Sequence, residues 1–216
     1  MGVLCCPFLF LPSKMLKYPA KIWIKVIFLL LDKICNIRHK IDGLENVPGH
    51  SVLVVSKHQS AFETFAFYYY LNDCFFVHKK ELFIIPIFGQ YLLKANMVAI
   101  NRSGGTKTMR KMLEDVKVRL KEGKSIIIFP EGTRKEPGSR PDYKTGFIGI
   151  YKNTKKKILP VALNSGLCWS KKSWILKEGN ITVKFLPIIE ENLNKIEVLK
   201  KVQDTIESES NNLLIN

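Results

Sequence analysis

The sequence predicts an α/β layered fold in which helices flank a central sheet. Short apolar runs such as 52–55 and 125–129 alternate with longer segments whose apolar residues repeat at helical spacing. Polar, glycine-containing sequences follow several of these runs, as expected at strand ends. No linker rich in Ser, Gly and Pro divides the 216 residues, so we expect one main domain.

Local signals place the elements along the chain. Pro19 and Pro86 lie near helix starts, where proline is tolerated. Pro48 and Gly49 mark a turn between the first two strands, and Gly123 ends a helix with a clear apolar face. The predicted elements are helix 13–35, strands 38–42 and 51–55, helix 61–71, strand 74–77, helix 86–94, strand 97–100, helix 106–122, strand 125–129, helix 147–151, strands 158–163 and 181–186, and helix 193–208.

The segment before the first strand has the pattern of a helix at a membrane surface. Lysines recur every third or fourth position, and apolar side chains fill the rest of its circumference. Its uninterrupted apolar run, 26–31, is far shorter than the roughly 20 residues that a spanning helix needs. We expect residues 1–36 to lie at the interface and 37–216 to form the main domain; the alternative is a helix packed on the protein's own core. The lysines are Lys14, Lys17, Lys21 and Lys25.

Composition limits the partners. Lys plus Arg number 34 and Asp plus Glu number 19, so the net charge is 34 − 19 = +15. This excess favours an anionic partner: nucleic acid, anionic lipid or a phosphorylated substrate. We expect no nucleic acid, because no zinc-finger, helix-turn-helix or RNA-binding motif is present. The five cysteines have no metal-ligand spacing, so we expect no metal site and a reducing compartment.

His58 and Glu63 form the first candidate for chemistry. His58 follows the apolar run 52–55, and Glu63 lies five positions further on. A carboxylate there can fix the tautomer and orientation of an imidazole that acts as a general base. The alternative is a capping box, in which Glu63 accepts a hydrogen bond from the backbone of Ser60 at its own helix start.

Two further strand ends carry similar polar residues. One has Asn101 and Arg102, and the other has Glu131, Gly132, Thr133 and Arg134. Ligands bind at strand ends of open α/β sheets, and arginine suits bidentate phosphate recognition. Taken singly, each arginine could be a solvated surface charge and the glycine an ordinary turn. Their joint occurrence favours a site.

The sequence resembles the lysophosphatidic acid acyltransferase family over about residues 40–190. The family's Asn-His-x-x-x-x-Asp block corresponds to Lys57, His58 and Glu63, and its Phe-Pro-Glu-Gly-Thr-Arg block is complete at 129–134. Blocks at 79–89, 100–103 and 158–163 also fit, in the same order as in the family. Glu63 departs from the family's Asp by one methylene, and Lys57 replaces its Asn.

The resemblance implies a mixed central sheet and assigns roles to the site residues. His58 would be the general base and Glu63 its orienting carboxylate. Glu131, Gly132 and Thr133 would position the substrate. The aromatic helix 61–71 could line an acyl pocket or be plain core. Arg134, Arg102, Lys79 and Lys80 would hold the acceptor phosphate.

The implied activity is transfer of a fatty acyl group to the sn-2 hydroxyl of 1-acylglycerol 3-phosphate. The acyl thioester of coenzyme A or acyl carrier protein would be the co-substrate, and no cofactor is expected. The protein is expected on the cytoplasmic face of a membrane, in bacteria the inner membrane. Two alternatives stay open: a related enzyme acting on glycerol 3-phosphate or another lysophospholipid, and a non-catalytic lipid-binding protein.

Overall fold

The computed structural model describes residues 12–71, 73–100, 105–173, 175–190 and 192–215. Within these ranges it contains seven strands and six α-helices, which alternate along much of the chain as expected. The strands are β1 (Ile37–Asp42), β2 (Leu53–Ser56), β3 (Cys74–Lys79), β4 (Val98–Ile100), β5 (Ser125–Ile128), β6 (Ile158–Leu163) and β7 (Gly179–Phe185). The helices are α1 (Lys17–Cys35), α2 (Phe62–Tyr70), α3 (Phe88–Lys94), α4 (Gly105–Lys121), α5 (Gly146–Thr154) and α6 (Lys195–Ile215).

The strands form one mixed sheet in the order β1-β7-β6-β2-β5-β3-β4. Neighbours are parallel except β6 and β7, which are antiparallel. Strand β2 lies in the middle, between β6 and β5, and its residues Leu53–Ser56 are all buried. Because β2, β3 and β5 run in the same direction, their carboxyl ends meet at one edge of the sheet. The predicted α/β class with a mixed sheet is confirmed.

The central strands separate two apolar cores. Val54 of β2 packs with α1 and α2 on one face, whereas Leu53 and Val55 pack with α4, α5 and α6 on the other. This alternation follows from the period of two residues along a strand. Continuously apolar strands such as 52–55 are expected when both faces of a sheet are covered.

Helix α1 packs on the core along one face and exposes apolar residues on another. Ile24, Phe28 and Leu31 are buried against the first core. In contrast, Ile22 is 66% exposed and Ile34 is 75% exposed. The alternative of a core-packed helix is therefore correct for one face, and the other face remains available. Among the described residues, no helix has the length and apolarity to cross a bilayer.

The largest differences from the predicted boundaries occur at the third and the last helices. The helix expected from Pro86 starts at Phe88, after a short 3-10 segment at Lys80–Ile84 that the sequence did not predict. Gly89 is needed in this region, because a Cβ there would lie 2.0 Å from the carbonyl oxygen of Phe83. The last helix extends seven residues beyond its predicted end at 208, to Ile215.

Candidate active site

His58 lies just past the end of β2, at the edge of the sheet. Its ring stacks on Phe129, with centroids 3.9 Å apart and planes 15° apart. Its Nδ1 lies 2.8 Å from Oε1 of Glu63. The imidazole is 15% exposed, whereas the Glu63 side chain is fully buried. The ring is thus held on one face and at one nitrogen.

Glu63 does both things that the sequence left as alternatives. Oε1 accepts hydrogen bonds from the backbone N–H groups of Gln59 and Ser60, at 2.7 and 2.8 Å, as well as contacting His58. Oε2 accepts hydrogen bonds from the hydroxyls of Ser60 and Ser165, at 2.7 and 2.8 Å. The carboxylate therefore caps the start of α2 and orients the histidine at the same time.

These contacts determine which ring nitrogen of His58 carries the hydrogen. Burial alone would raise the pKa of Glu63, but the hydrogen bond and charge of His58, together with the donors of Ser60, lower its pKa below the ordinary value. An ionised Glu63 can only accept, so Nδ1 of His58 carries the hydrogen. When the ring is neutral, Nε2 is then the nitrogen with the lone pair, as a general base requires.

The loop 129–135 is tied to the strand end that carries His58. The N–H of Lys135 donates to the carbonyl oxygen of His58 at 2.8 Å. The N–H of Lys144 donates to the carbonyl oxygen of Pro130, also at 2.8 Å. Gly132 has φ +70°, a conformation that side chains disfavour, so glycine is required at this turn.

Glu131 lies inside the fold. Its side chain is fully buried, and Oε1 accepts a hydrogen bond from the backbone N–H of His58 at 3.0 Å. Among the described residues, it is not one of those that line the cavity around His58. Burial raises the pKa of Glu131 to about 7, against the lowering effect of Lys57 and the His58 N–H. Its contacts point to support of the His58 backbone.

A cavity of about 1210 Å³ opens beside His58. Most of its lining is apolar, from α1, α2, β3, α3, α4 and α5, including the aromatic side chains Phe65 and Tyr68 of helix α2. The predicted residues that line it, besides His58, are Lys79, Gly132, Thr133 and Arg134. A single space therefore joins a base, cations and a long apolar surface.

The structure also adds two lysines to this cavity. Lys144 lines it and packs against Gly132, where its side-chain carbons lie 3.2 Å from the position of a Cβ on the glycine. Lys171 lines it and donates to the hydroxyl of Thr133 at 3.1 Å. Both residues come from parts of the chain with no strand-end signal, and only the folded chain brings them to the 129–134 loop.

Two of the predicted phosphate-binding residues, Lys80 and Arg102, are not among the described residues that line the cavity. Lys80 starts the 3-10 segment after β3, is exposed, and does not appear among the described residues that line the cavity. Arg102 lies outside the described residues, as does Asn101. Within the described ranges, no group of three or more His, Cys, Asp or Glu side chains could hold a metal ion.

Comparison with known proteins adds family information. The acyltransferase family model matches residues 38–164, which are more than half of the chain. A protein of Pseudomonas aeruginosa named 1-acyl-sn-glycerol-3-phosphate acyltransferase is 32% identical over 171 residues, covering 79% of this chain and 66% of the relative. A protein of Limnanthes douglasii with the same name is 33% identical over 159 residues, covering 72% of this chain and 56% of the relative. The chain thus spans less than two thirds of these relatives' length.

A solved structure has the same fold. The 1-acyl-sn-glycerophosphate acyltransferase of Thermotoga maritima superposes with a TM-score of 0.78, covering 94% of this chain and 82% of that one. Sequence identity over this match is 23%, so the likeness concerns the fold.

Proposed function

Because this chain belongs to the acyltransferase family, we propose that it moves a fatty acyl group from a thioester to the sn-2 hydroxyl of 1-acylglycerol 3-phosphate. The product is phosphatidic acid, and the thiol carrier is coenzyme A or acyl carrier protein. One observation carries the proposal: an oriented imidazole, a cationic loop and a long apolar surface share one cavity. Two relatives carry the name of this activity.

His58 acts as the general base. Nε2 takes the proton of the acceptor hydroxyl while the oxygen attacks the thioester carbonyl. As the tetrahedral intermediate collapses, the carbon–sulfur bond breaks and the imidazolium returns this proton to the sulfur, so that the thiol leaves and the neutral base is restored. Glu63 holds the ring and stabilises the imidazolium that forms, as a buried carboxylate does in other histidine-based sites. A base in this role typically contributes about 10²–10⁴-fold to the rate.

The cations of the cavity bind the acceptor phosphate. Arg134 offers a planar fork for two phosphate oxygens, and Lys79 approaches from the end of β3. Lys144 and Lys171 flank the Gly132–Thr133 turn and add positive charge to the same mouth. Arg102 keeps its sequence-based assignment to the phosphate, and Lys80 is a weaker candidate because it is exposed outside the cavity lining.

The apolar part of the cavity holds acyl chain. Its lining of aromatic, methionine and aliphatic side chains suits methylene groups, and its volume exceeds that of most ligand pockets. With both substrates placed against His58, positioning supplies much of the remaining acceleration, and no acyl-enzyme is required.

The protein binds a membrane surface through α1. The exposed apolar face of this helix lies next to lysines that can contact anionic headgroups. Helix α1 also lines the cavity, with residues such as Trp23. A lipid acceptor could thus pass from the bilayer to the site without crossing water. In a bacterial cell the surface would be the cytoplasmic face of the inner membrane.

A labelled acyl-transfer assay on the purified chain tests the function. It uses acyl-coenzyme A and acyl carrier protein as donors, and 1-acylglycerol 3-phosphate, glycerol 3-phosphate and lysophosphatidylcholine as acceptors. We expect labelled phosphatidic acid from wild type and from His50→Ala, an exposed histidine, but a loss of about 10²-fold or more in His58→Ala. Labelled product from another acceptor alone would reassign the substrate. Full activity of His58→Ala would refute the mechanism.

A further inference from the structure

Lys57 precedes the catalytic histidine, yet its side chain is buried away from the cavity. Only 1% of it is exposed, and it is not among the described residues that line the cavity. Its ammonium donates to Oε1 and Oε2 of Glu207 in α6, at 2.8 and 2.7 Å, and to the carbonyl oxygen of Ser139 at 3.0 Å. The three donors of a lysine are thus matched by three acceptors.

The cluster around Lys57 contains more acid than base. Glu207 also accepts a hydrogen bond from the hydroxyl of Tyr143 at 2.8 Å. Oε1 of Glu131 lies 3.7 Å from the Lys57 ammonium. Within the described part of the chain, Oε2 of Glu131 is buried without a hydrogen-bond partner. One buried cation therefore faces two carboxylates, of which Glu131 is the less satisfied.

Glu131 connects this cluster to the site, because it accepts the backbone N–H of His58. We propose that Lys57 and Glu207 are a positioning pair that holds Glu131, and through it the main chain of His58, in the geometry that proton transfer requires. The proposal rests on the proposed function of His58 as a base. It assigns a role to Lys57 at the position where the resembled family has asparagine.

The physical effect acts through the charge of Glu131. A carboxylate accepts a stronger hydrogen bond than a neutral acid, so ionised Glu131 fixes His58 more firmly. The Lys57 ammonium lowers the pKa of Glu131, whereas the charges of Glu207 and Glu63 raise it. Lys57 reaches Glu131 from the position just after β2, Glu207 from α6 and Glu63 from α2, and the Tyr143 hydroxyl joins from the segment before α5.

The sharpest test is the acidic side of the pH profile of kcat. Lys57→Met removes the stabilising charge and moves the half-activity pH upwards, by about one unit. Glu207→Gln removes the repelling charge and moves it downwards. Both shifts disappear when Glu131→Gln is also present, because the responding group is gone. Shifts that persist in the Glu131→Gln background would overturn the proposal, since Lys57 would then act on His58 directly.

A double variant separates positioning from folding. Single substitutions leave a buried charge without its partner and destabilise the protein, whereas replacing both partners by apolar residues is often neutral. We expect Lys57→Met/Glu207→Met to fold and to be less destabilised than either single variant, with kcat per folded molecule reduced about tenfold or more and the acceptor KM unchanged. A well-folded double variant with wild-type kcat would make the pair purely structural.

A third measurement does not depend on acyl transfer. Amide hydrogen exchange of the His58 N–H, followed by NMR, reports the bond to Glu131 even if the substrate assignment is wrong. We expect faster exchange at this amide in the double variant than in wild type, while the amide of Val54, inside β2, exchanges as before. Unchanged exchange at His58 would overturn the positioning role and leave the proposed function untouched.

Discussion

At the residue scale, Glu63 shows how one carboxylate serves a helix and a base together. It accepts hydrogen bonds from Gln59, Ser60 and Ser165 and holds the imidazole of His58. The other donors make the acid rigid, and rigidity is what a histidine needs from its orienting partner. The catalytic and capping hypotheses were therefore not true alternatives.

Substitution of Glu63 should affect stability and turnover together. We expect Glu63→Ala to lose most acyl transfer and about 3 kcal/mol or more of the free energy of unfolding, because several buried donors lose their acceptor. Glu63→Asp, which restores the residue of the resembled family, should keep much of the activity. Chemical denaturation and kcat per folded molecule check this. Normal kcat in a destabilised Glu63→Ala would leave only the capping role.

Arg134 should act mainly on the acceptor. Arg134→Ala removes a charge-assisted contact to phosphate, so we expect the acceptor KM to rise about 10–100-fold with a smaller change in kcat. The matched control is Arg119→Ala on α4, an arginine that pairs with Glu122 away from the cavity. Steady-state kinetics with 1-acylglycerol 3-phosphate measures both. An unchanged KM in Arg134→Ala would contradict the phosphate assignment.

At the scale of elements, α1 divides its circumference between core and surroundings. The buried residues Ile24, Phe28 and Leu31 attach it to the domain. Ile22 and Ile34 face outwards, so substitution there need not disturb the core. A helix with this division can belong to the fold and still contact a bilayer.

Ile22→Glu tests the outward face of α1. We expect binding to vesicles of phosphatidylglycerol and phosphatidylethanolamine to weaken roughly tenfold, since a buried isoleucine is worth about 1.5–3 kcal/mol. The melting temperature should hardly change. Ile196→Glu on α6 is the matched control, because Ile196 is 78% exposed. Vesicle sedimentation gives the result; equal loss in both variants would point to charge alone.

At the scale of the whole molecule, the candidate site lies at one edge of the sheet, and buried charged side chains connect it to distant parts of the chain. The carboxyl ends of β2, β3 and β5 carry His58, Lys79 and the 129–134 loop. Glu207 of α6 is linked to the same region by its ion pair with Lys57. Overall stability should therefore depend on the charge of Glu131, which this arrangement buries.

The free energy of unfolding should record this burial as a dependence on pH. Because the folded pKa of Glu131, about 7, lies above its ordinary value of 4.5, the folded state binds the proton more tightly than the unfolded state. The stabilisation that this tighter proton binding adds to the folded state is complete below pH 4.5 and is lost as the pH rises through about 7. Gln does not titrate, so the free energy of unfolding of wild type should fall relative to that of Glu131→Gln as the pH rises towards 7. The slope should be up to roughly 1.4 kcal/mol per pH unit. Urea denaturation between pH 5 and 8 checks the slope; parallel curves would contradict it.

Much of the fold and half of the site follow from local sequence. Alternating apolar runs and helical periods indicate the α/β class, because strand and helix periods are local properties of the chain. The His58–Glu63 spacing predicts a candidate base with an orienting carboxylate, and the structure places the two side chains 2.8 Å apart. The unbroken 129–134 block predicts a cationic turn at a neighbouring strand end, through its resemblance to the family. The sequence did not predict the 3-10 segment Lys80–Ile84 or the later helix start at Phe88, where Gly89 lies against the carbonyl of Phe83.

Tertiary structure alone decides the remainder. The antiparallel β6–β7 pairing, and the contact between Lys57 and Glu207 across 150 positions, join segments whose sequences carry no mark of each other. Likewise, nothing near Lys144 or Lys171 marks them as lining a cavity. A lysine has the same local pattern on a solvated surface, in a ligand site or in a buried ion pair. The energy that distinguishes these places comes from partners that only folding brings within reach.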